Sequence, residues 1–185
     1  LELSLKKGRT QLSRAAQFIG FQGDADKPTA HVFENNGLHI ELRIDANNQI
    51  GKSDPAGIAD VVLEAALTAI MDCEDSVAAV DADDKALAYR NWLGLMKGDL
   101  VESVEKGGKR FERTLSSDRE YQGVDGKASV SLKGRALLLV RNVGHLMTNP
   151  AVLDRNGDEM PEGLLDAMCT VLCAKHDLNK KDGLR

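Results

Sequence analysis

Two short, continuous apolar runs constrain this chain more than any other feature, because each ends in charge and each is followed by a helical pattern. The first, 66–73, ends among Asp72, Glu74 and Asp75 and leads into a helix over 81–97. The second, 136–140, stops at Arg141 and is followed, after a loop over 142–158, by a helix beginning at Pro161. An apolar run too short for a helix and without alternation is the pattern of a strand buried on both faces, as in a parallel sheet. Parallel strands need long crossovers, and the strand–helix rhythm over 66–97 and 136–177 supplies them, so the expected fold class is α/β. Two such units cannot close a barrel of eight strands. The chain therefore reads as an internal piece of a larger enzyme, and its opening on Leu1 rather than Met fits that reading.

The rest of the chain is β-like. Leu1, Leu3 and Leu5 alternate with polar residues up to a turn at Lys7-Gly8. Val32 and Phe33 lead into Asn36-Gly37, a strong hairpin signal, and Leu38, Ile40, Leu42 and Ile44 follow with period two, one face buried and the other wet. Ser53-Asp54-Pro55 offers a helix cap, with a helix expected over 56–64 that places Ile58, Val61 and Val62 on one side. The helix over 81–97 is capped by Asp81 and sets Ala88, Trp92 and Leu95 on one face. A strand is expected over 111–115, and Asp125-Gly126 joins two more, the second with Val130 and Leu132 alternating. In the last helix Leu164, Leu165, Met168, Cys169, Leu172 and Cys173 form a wide apolar stripe.

Composition narrows the class. A net charge of −5 and an acidic pI argue against nucleic acid, whose phosphates require a basic face. No apolar run approaches the ~20 residues that span a membrane. Aromatic residues are only 4%, so the core is aliphatic. Cys73, Cys169 and Cys173 form an odd set without framework spacing, which fits a reducing compartment and a cytoplasmic location.

Asp72, Glu74 and Asp75 crowd the C-terminal end of the first apolar strand, where ligands sit in parallel α/β folds. Such acids repel one another, so a nearby cation is the natural compensation. The alternative is a solvated acidic turn in which Asp75 or Asp81 merely caps a helix. Arg141, at the end of the second strand, offers a planar, always-charged fork suited to a carboxylate or oxyanion, or else pairs structurally with one of those acids. Four weaker signals are set aside. His39-x-Glu41 lacks the cysteines of a zinc deaminase. Asp154-Arg155-Asn156-Gly157-Asp158 misplaces the glycine of a calcium loop. Cys169 and Cys173 belong to the apolar stripe, and His145 most simply packs or caps a loop.

Three blocks together are far more specific than any short motif: Ile70-Met71-Asp72-Cys73-Glu74-Asp75-Ser76-Val77-Ala78-Ala79-Val80-Asp81, Tyr89-Arg90-Asn91-Trp92-Leu93-Gly94-Leu95, and Val140-Arg141-Asn142-Val143-Gly144-His145-Leu146-Met147-Thr148-Asn149. In order and spacing they resemble malate synthase of the G form, and the resemblance extends more weakly over Asn36-Gly37-Leu38-His39-Ile40-Glu41 and the helix at Pro161. It implies a TIM-barrel enzyme that condenses acetyl-CoA with glyoxylate and water, using Mg2+. It implies that Arg141 contacts glyoxylate and the developing enolate, that Asp72 and Glu74 hold magnesium-bound water, and that Ser76 and Arg113 contact acetyl-CoA. The family's catalytic base and its direct magnesium carboxylates lie outside this chain, so the piece alone is expected to be inactive. The expected layout is 1–64 as the first part of a β-rich inserted α/β domain, 65–97 as a barrel strand and helix, 98–134 as the second part of the insert, and 135–185 as a barrel strand and helix. Cut out of a barrel, such units are expected to self-associate through exposed surfaces. Two other classes stay open on the residues alone: a stand-alone β-rich binding module, and another Mg-dependent barrel lyase or aldolase acting on a small oxoacid.

Overall fold

A computed structural model describes residues 2–5, 7–63, 69–126, 128–178 and 180. The alternation expected for Leu1, Leu3 and Leu5, and residues 64–68 of the expected helix end and first apolar run, lie outside what is described. The chain divides into two units, residues 1–66 with 117–134, and residues 67–116 with 135–185.

The first unit is antiparallel throughout. β1 (Glu2–Leu5) and β2 (Gly8–Gln11) form a hairpin. β3 (Phe18–Asp24), β4 (Lys27–Asn35), β5 (Leu38–Ile44) and β6 (Ile58–Leu63) join two later strands of the same unit in a six-stranded sheet. Between β4 and β5 the backbone turns at Asn36 and Gly37, both with positive φ, the conformation that Asn-Gly is suited to. The expected helix over 56–64 is instead β6, paired to β5 with Leu42 opposite Val61 and Glu41 opposite Val62. Asp54 does use its side chain on the following amides, accepting from Ala56 N and Ile58 N. This makes an Asx turn rather than a helix cap, and the β-branched Ile58, Val61 and Val62 then pair as a strand.

A second correction concerns β5. Its most buried residue is Glu41, at 4% exposure, on the face expected to be wet, whereas Leu38 is exposed and Ile40 and Leu42 are half-buried. Glu41 stands opposite Val32 in register, and its carboxylate accepts from Arg43 Nε at 3.0 Å and from Arg119 Nη1. Compensated in this way, a carboxylate can occupy the inner face. The core beside it is Ala30, Val32, Tyr121 and Leu132, with Ile19 and Val130 packed against them.

In the second unit β7 (Ala69–Asp72) leads through a turn to α1 (Ala82–Lys97). Asp81 caps α1 as expected, its carboxylate accepting from Asp84 N at 2.9 Å, and Gly98 ends the helix with φ of 79°. A hairpin of β8 (Glu102–Lys106) and β9 (Lys109–Arg113) follows. β10 (Arg119–Gly123) and β11 (Ser129–Leu132), the hairpin at Asp125-Gly126, complete the first unit's sheet in the order β11-β10-β3-β4-β5-β6. The chain then returns to the second unit as β12 (Leu138–Arg141), parallel to β7. The stretch 142–158, expected to be loop, holds β13 (Thr148–Leu153), which pairs with β14 (Glu159–Pro161). Asp154 Oδ1 accepts from Asn156 N and Asp158 N, so the calcium-like sequence is the turn of this hairpin. The last helix is α2 (Glu162–Ala174).

The apolar runs and the helical stripe of this unit are only partly covered, which agrees with the exposed surfaces expected of units cut from a larger fold. β7 and β12 bury one face only: Met71, Leu138 and Val140 pack with Trp92, Met96, Leu95 and Leu115, while Ile70, Leu137 and Leu139 are exposed. In α2 one side of the stripe is turned outward, while Leu165, Cys169 and Cys173 are half-buried. Leu164, Met168 and Leu172 are 53%, 66% and 60% exposed, whereas Asp166 is 0% exposed and Glu162 and Thr170 are buried. The inward face of α2 is thus a line of polar groups four residues apart. It is tolerated because Lys85 and Tyr89 of α1 meet Glu162 and Asp166, and the Thr170 hydroxyl donates to the Asp166 carbonyl one turn back.

Candidate functional site

The parallel pairing of β7 with β12 sets Asp72 directly beside Arg141, and Cys73 N donates to Arg141 O at 2.9 Å as the last rung. Both side chains leave their strands at the C-terminal end. Arg141 Nε donates to Asp72 Oδ1 at 2.8 Å and Nη2 donates to Oδ2 at 2.7 Å, a two-pronged contact. Asp72 Oδ1 also accepts from Glu74 N at 3.1 Å, which folds the chain into the turn after β7. Glu74 reaches back across the strand ends, its Oε2 accepting from Gly144 N at 3.2 Å. The hydrogen-bonded guanidinium of Arg141 holds the Asp72 carboxyl below its ordinary range, and Asp72 in turn raises Arg141. At neutral pH the pair is therefore fully charged.

Asp72, Glu74 and Arg141, singled out from sequence, are thus brought together. Ser76 lies in the same turn, exposed, with its amide on Asp75 Oδ1. Arg113 stands on the β8–β9 hairpin opposite Glu102, beside a small cleft of about 160 Å³ with Leu95 and Leu100. His145 is exposed, and Cys169 and Cys173 are half-buried free thiols. Among the described residues no three His, Cys, Asp or Glu side chains converge as a metal-holding group. Both Asp72 oxygens face Arg141, so the donors described here do not by themselves fit a magnesium site.

Sequence reasoning missed a buried ionic cluster behind these strand ends. Lys85 Nζ donates to Glu162 Oε1 at 2.6 Å, to Cys73 O at 2.7 Å and to Asp166 at 3.3 Å. Asp166 also accepts from Tyr89 OH and from Val143 N, the latter at 2.8 Å. Asn149 Nδ2 donates to Glu162 Oε2 at 3.1 Å. Burial works to lower the Lys85 pKa, but Glu162 and Asp166 outweigh it and the ammonium is held above its ordinary value. Burial, reinforced by the bond to Asp166, raises Tyr89, and burial pushes the Cys73 thiol up to about 11. The available signal was Glu162 and Asp166, two acids one helical turn apart in an otherwise apolar helix. A cleft of about 430 Å³ opens against this cluster, bordered by Asp75, Asp81, Tyr89, Asn149 and Glu162.

A strand-rich mixed α/β chain with an arginine–carboxylate pair at the C-terminal ends of adjacent parallel strands belongs to the broad class of α/β proteins that gather polar groups at that end. Among the described residues no helix is long and apolar enough to cross a membrane. No protein-family model matches the chain. Malate synthase G of Halalkalibacterium halodurans is 52% identical over 179 residues, covering 96% of this chain and 24% of that protein. Malate synthase G of Corynebacterium efficiens is 51% identical over 174 residues (94% and 23%), and that of Corynebacterium glutamicum 52% over 164 (89% and 22%). Over the stretch it spans, about a quarter of the length of these curated relatives, the chain belongs to the malate synthase G family.

Proposed function

We propose that this chain carries part of the active site of a malate synthase, a cytoplasmic acyltransferase that condenses acetyl-CoA with glyoxylate and water to give malate and CoA. The observation that carries the reading is the two-pronged Arg141–Asp72 contact at adjoining strand ends. In the reaction a base takes a methyl proton from the thioester, and the enolate carbon bonds to the aldehyde carbon of glyoxylate. Water then cleaves the thioester, releasing CoA. Negative charge gathers first on the thioester oxygen and then on the former aldehyde oxygen. A pre-aimed guanidinium stabilises such charge without reorganising at the moment of reaction. Asp72 engages the Nε and Nη2 edge of Arg141, which leaves the Nη1 edge to face glyoxylate. Asp72 thereby keeps the planar fork aimed.

Magnesium, when bound in the complete enzyme, would polarise the glyoxylate aldehyde. Asp72 and Glu74 would touch only its water, and the carboxylates that bind it directly, like the catalytic base, lie outside this chain. Ser76 and Arg113 are assigned to acetyl-CoA. On this reading β7–α1 (within 65–97) and β12–α2 (within 135–185) are two units of a TIM barrel, and 1–64 with 98–134 belong to an inserted α/β domain.

The test is thiol release from acetyl-CoA with glyoxylate and magnesium. In a protein of the relatives' full length carrying this stretch, Arg141→Lys should lower turnover by about 10²-fold or more, because a point charge does not reproduce a planar fork. The KM for glyoxylate should rise with it. Full activity of the Lys variant would overturn the assignment. The present chain alone should release no thiol, and turnover on the order of 10 per second would refute its reading as a partial site.

A further inference from the structure

The two strand ends that bear Asp72 and Arg141 are joined twice. The first joint is the side-chain pair itself. The second runs underneath, through α1 and α2. Lys85 Nζ donates to the carbonyl of Cys73, the residue after Asp72, and Asp166 Oδ2 accepts from the amide of Val143, two residues after Arg141. Lys85 and Asp166 contact each other, and Tyr89 OH donates to the second Asp166 oxygen. A fully buried carboxylate is a costly way to pack two helices, and an apolar pair commonly serves as well or better. What an apolar pair cannot do is accept the Val143 N–H and lead, through a lysine, to the Cys73 carbonyl. Both backbone groups lie just beyond the last rung of the ladder, where strand pairing no longer sets the spacing of the two loops.

We propose that Asp166 is a positioning residue for the Asp72–Arg141 pair: through Val143 on one side and Lys85 and Cys73 on the other, it sets the separation and facing of the two loops and so the aim of the Arg141 fork. The catalytic consequence rests on the reading of Arg141 as the group that meets glyoxylate; the bridge itself does not. Groups that orient the residues contacting a reacting centre typically change activity about 10- to 100-fold when altered. Replacing one of the two Asp166 acceptor oxygens by a donor, so that Val143 N, Tyr89 OH and Lys85 Nζ can no longer all be served, should accordingly lower kcat by that factor and leave the KM for acetyl-CoA within about twofold.

Asp166→Asn keeps the size and one acceptor oxygen of the residue, and Tyr89→Phe removes a single donor to Asp166 while leaving Val143 and Lys85 in place. Two readouts are required. On this chain, the Arg141 Nε–H nuclear magnetic resonance signal reports the pair, and the Trp92 indole signal, whose N–H donates to Thr170 O, reports the fold. In the full-length protein, kcat and KM are measured per folded molecule. The Arg141 signal should move in Asp166→Asn with the Trp92 signal retained, and kcat should fall as stated. An unmoved Arg141 signal in a folded Asp166→Asn chain overturns the proposal whatever the activity. A moved signal with unchanged kcat supports the bridge and overturns the glyoxylate role of Arg141 instead. If Asp166→Asn does not fold, Tyr89→Phe decides on the same readouts, with a smaller shift and a kcat loss of a few-fold expected, and no change in either counting against the proposal.

Discussion

Replacing Lys85 by Met keeps the length of the side chain and deletes its charge. Its Nζ has acceptors in Glu162, Asp166 and the Cys73 carbonyl, and the two acids are 8% and 0% exposed. Breaking a buried ion pair from one side costs about 3–5 kcal/mol, because the stranded charge stays desolvated. The Cys73 carbonyl loses its Nζ donor, worth a further ~1–3 kcal/mol if nothing replaces it. The total, on the order of 4–8 kcal/mol, is comparable to the whole stability of a typical domain, about 5–15 kcal/mol. Trp92 is the chain's single tryptophan and is buried between α1 and α2, so its fluorescence during urea unfolding reports this unit alone. With a urea slope of about 1–2 kcal/mol per M, the midpoint should fall by several M, or the unit should lack a folded baseline. Arg141→Met breaks an ion pair that water reaches, and its midpoint should scarcely move. A Lys85→Met midpoint as close to the parent's as that of Arg141→Met would refute the reasoning, since the cluster would then be worth no more than a solvated pair.

Alkaline pH should destabilise the second unit. Cys73, raised by burial to about 11, and Tyr89, raised by burial and by Asp166, both have folded pKa values above their unfolded ones. Their contribution is fully present below the unfolded values, about 8.5 for Cys and about 10 for Tyr, and is lost as pH rises through the folded ones. The urea midpoint followed by Trp92 should thus decline between about pH 9 and 11, less steeply in Cys73→Ala; a flat profile across that window would contradict it. The exposed Ile70, Leu137 and Leu139 of the parallel pair and Leu164, Met168, Val171 and Leu172 of α2 should make the chain self-associate, as apolar patches of this kind commonly do. Sedimentation over a range of concentrations tests this, and a strictly monomeric sample at every concentration would count against it.

Much of the site was legible because its signals are local. A continuous apolar run stopping at Asp72, another stopping at Arg141, and Asp81 as a helix cap follow from residues a few positions apart, and the structure has β7, β12 and α1 at those places. The Asn36-Gly37 turn is the same kind of signal, since its backbone geometry suits few other dipeptides. The helix expected over 56–64 shows the limit. Ser53-Asp54-Pro55 carries the signal of a helix cap, but capping and Asx turns begin alike, with Asp54 accepting from following amides, and pairing with β5 makes the segment a strand.

What the sequence determined by itself was therefore the inventory: short strands with charged tips, a capped helix, and the residue types that could meet an anionic substrate. Only the tertiary structure decided which face of each element is inside. Periodicity places Glu41 on a wet face and Asp166 opposite an apolar stripe, yet both are buried, because Arg119 and Arg43 reach the first and Lys85, Tyr89 and Val143 N reach the second. Those partners lie as many as 81 positions away in the chain. A charge becomes tolerable inside a protein only once its partner has arrived, and no local pattern records where that partner is.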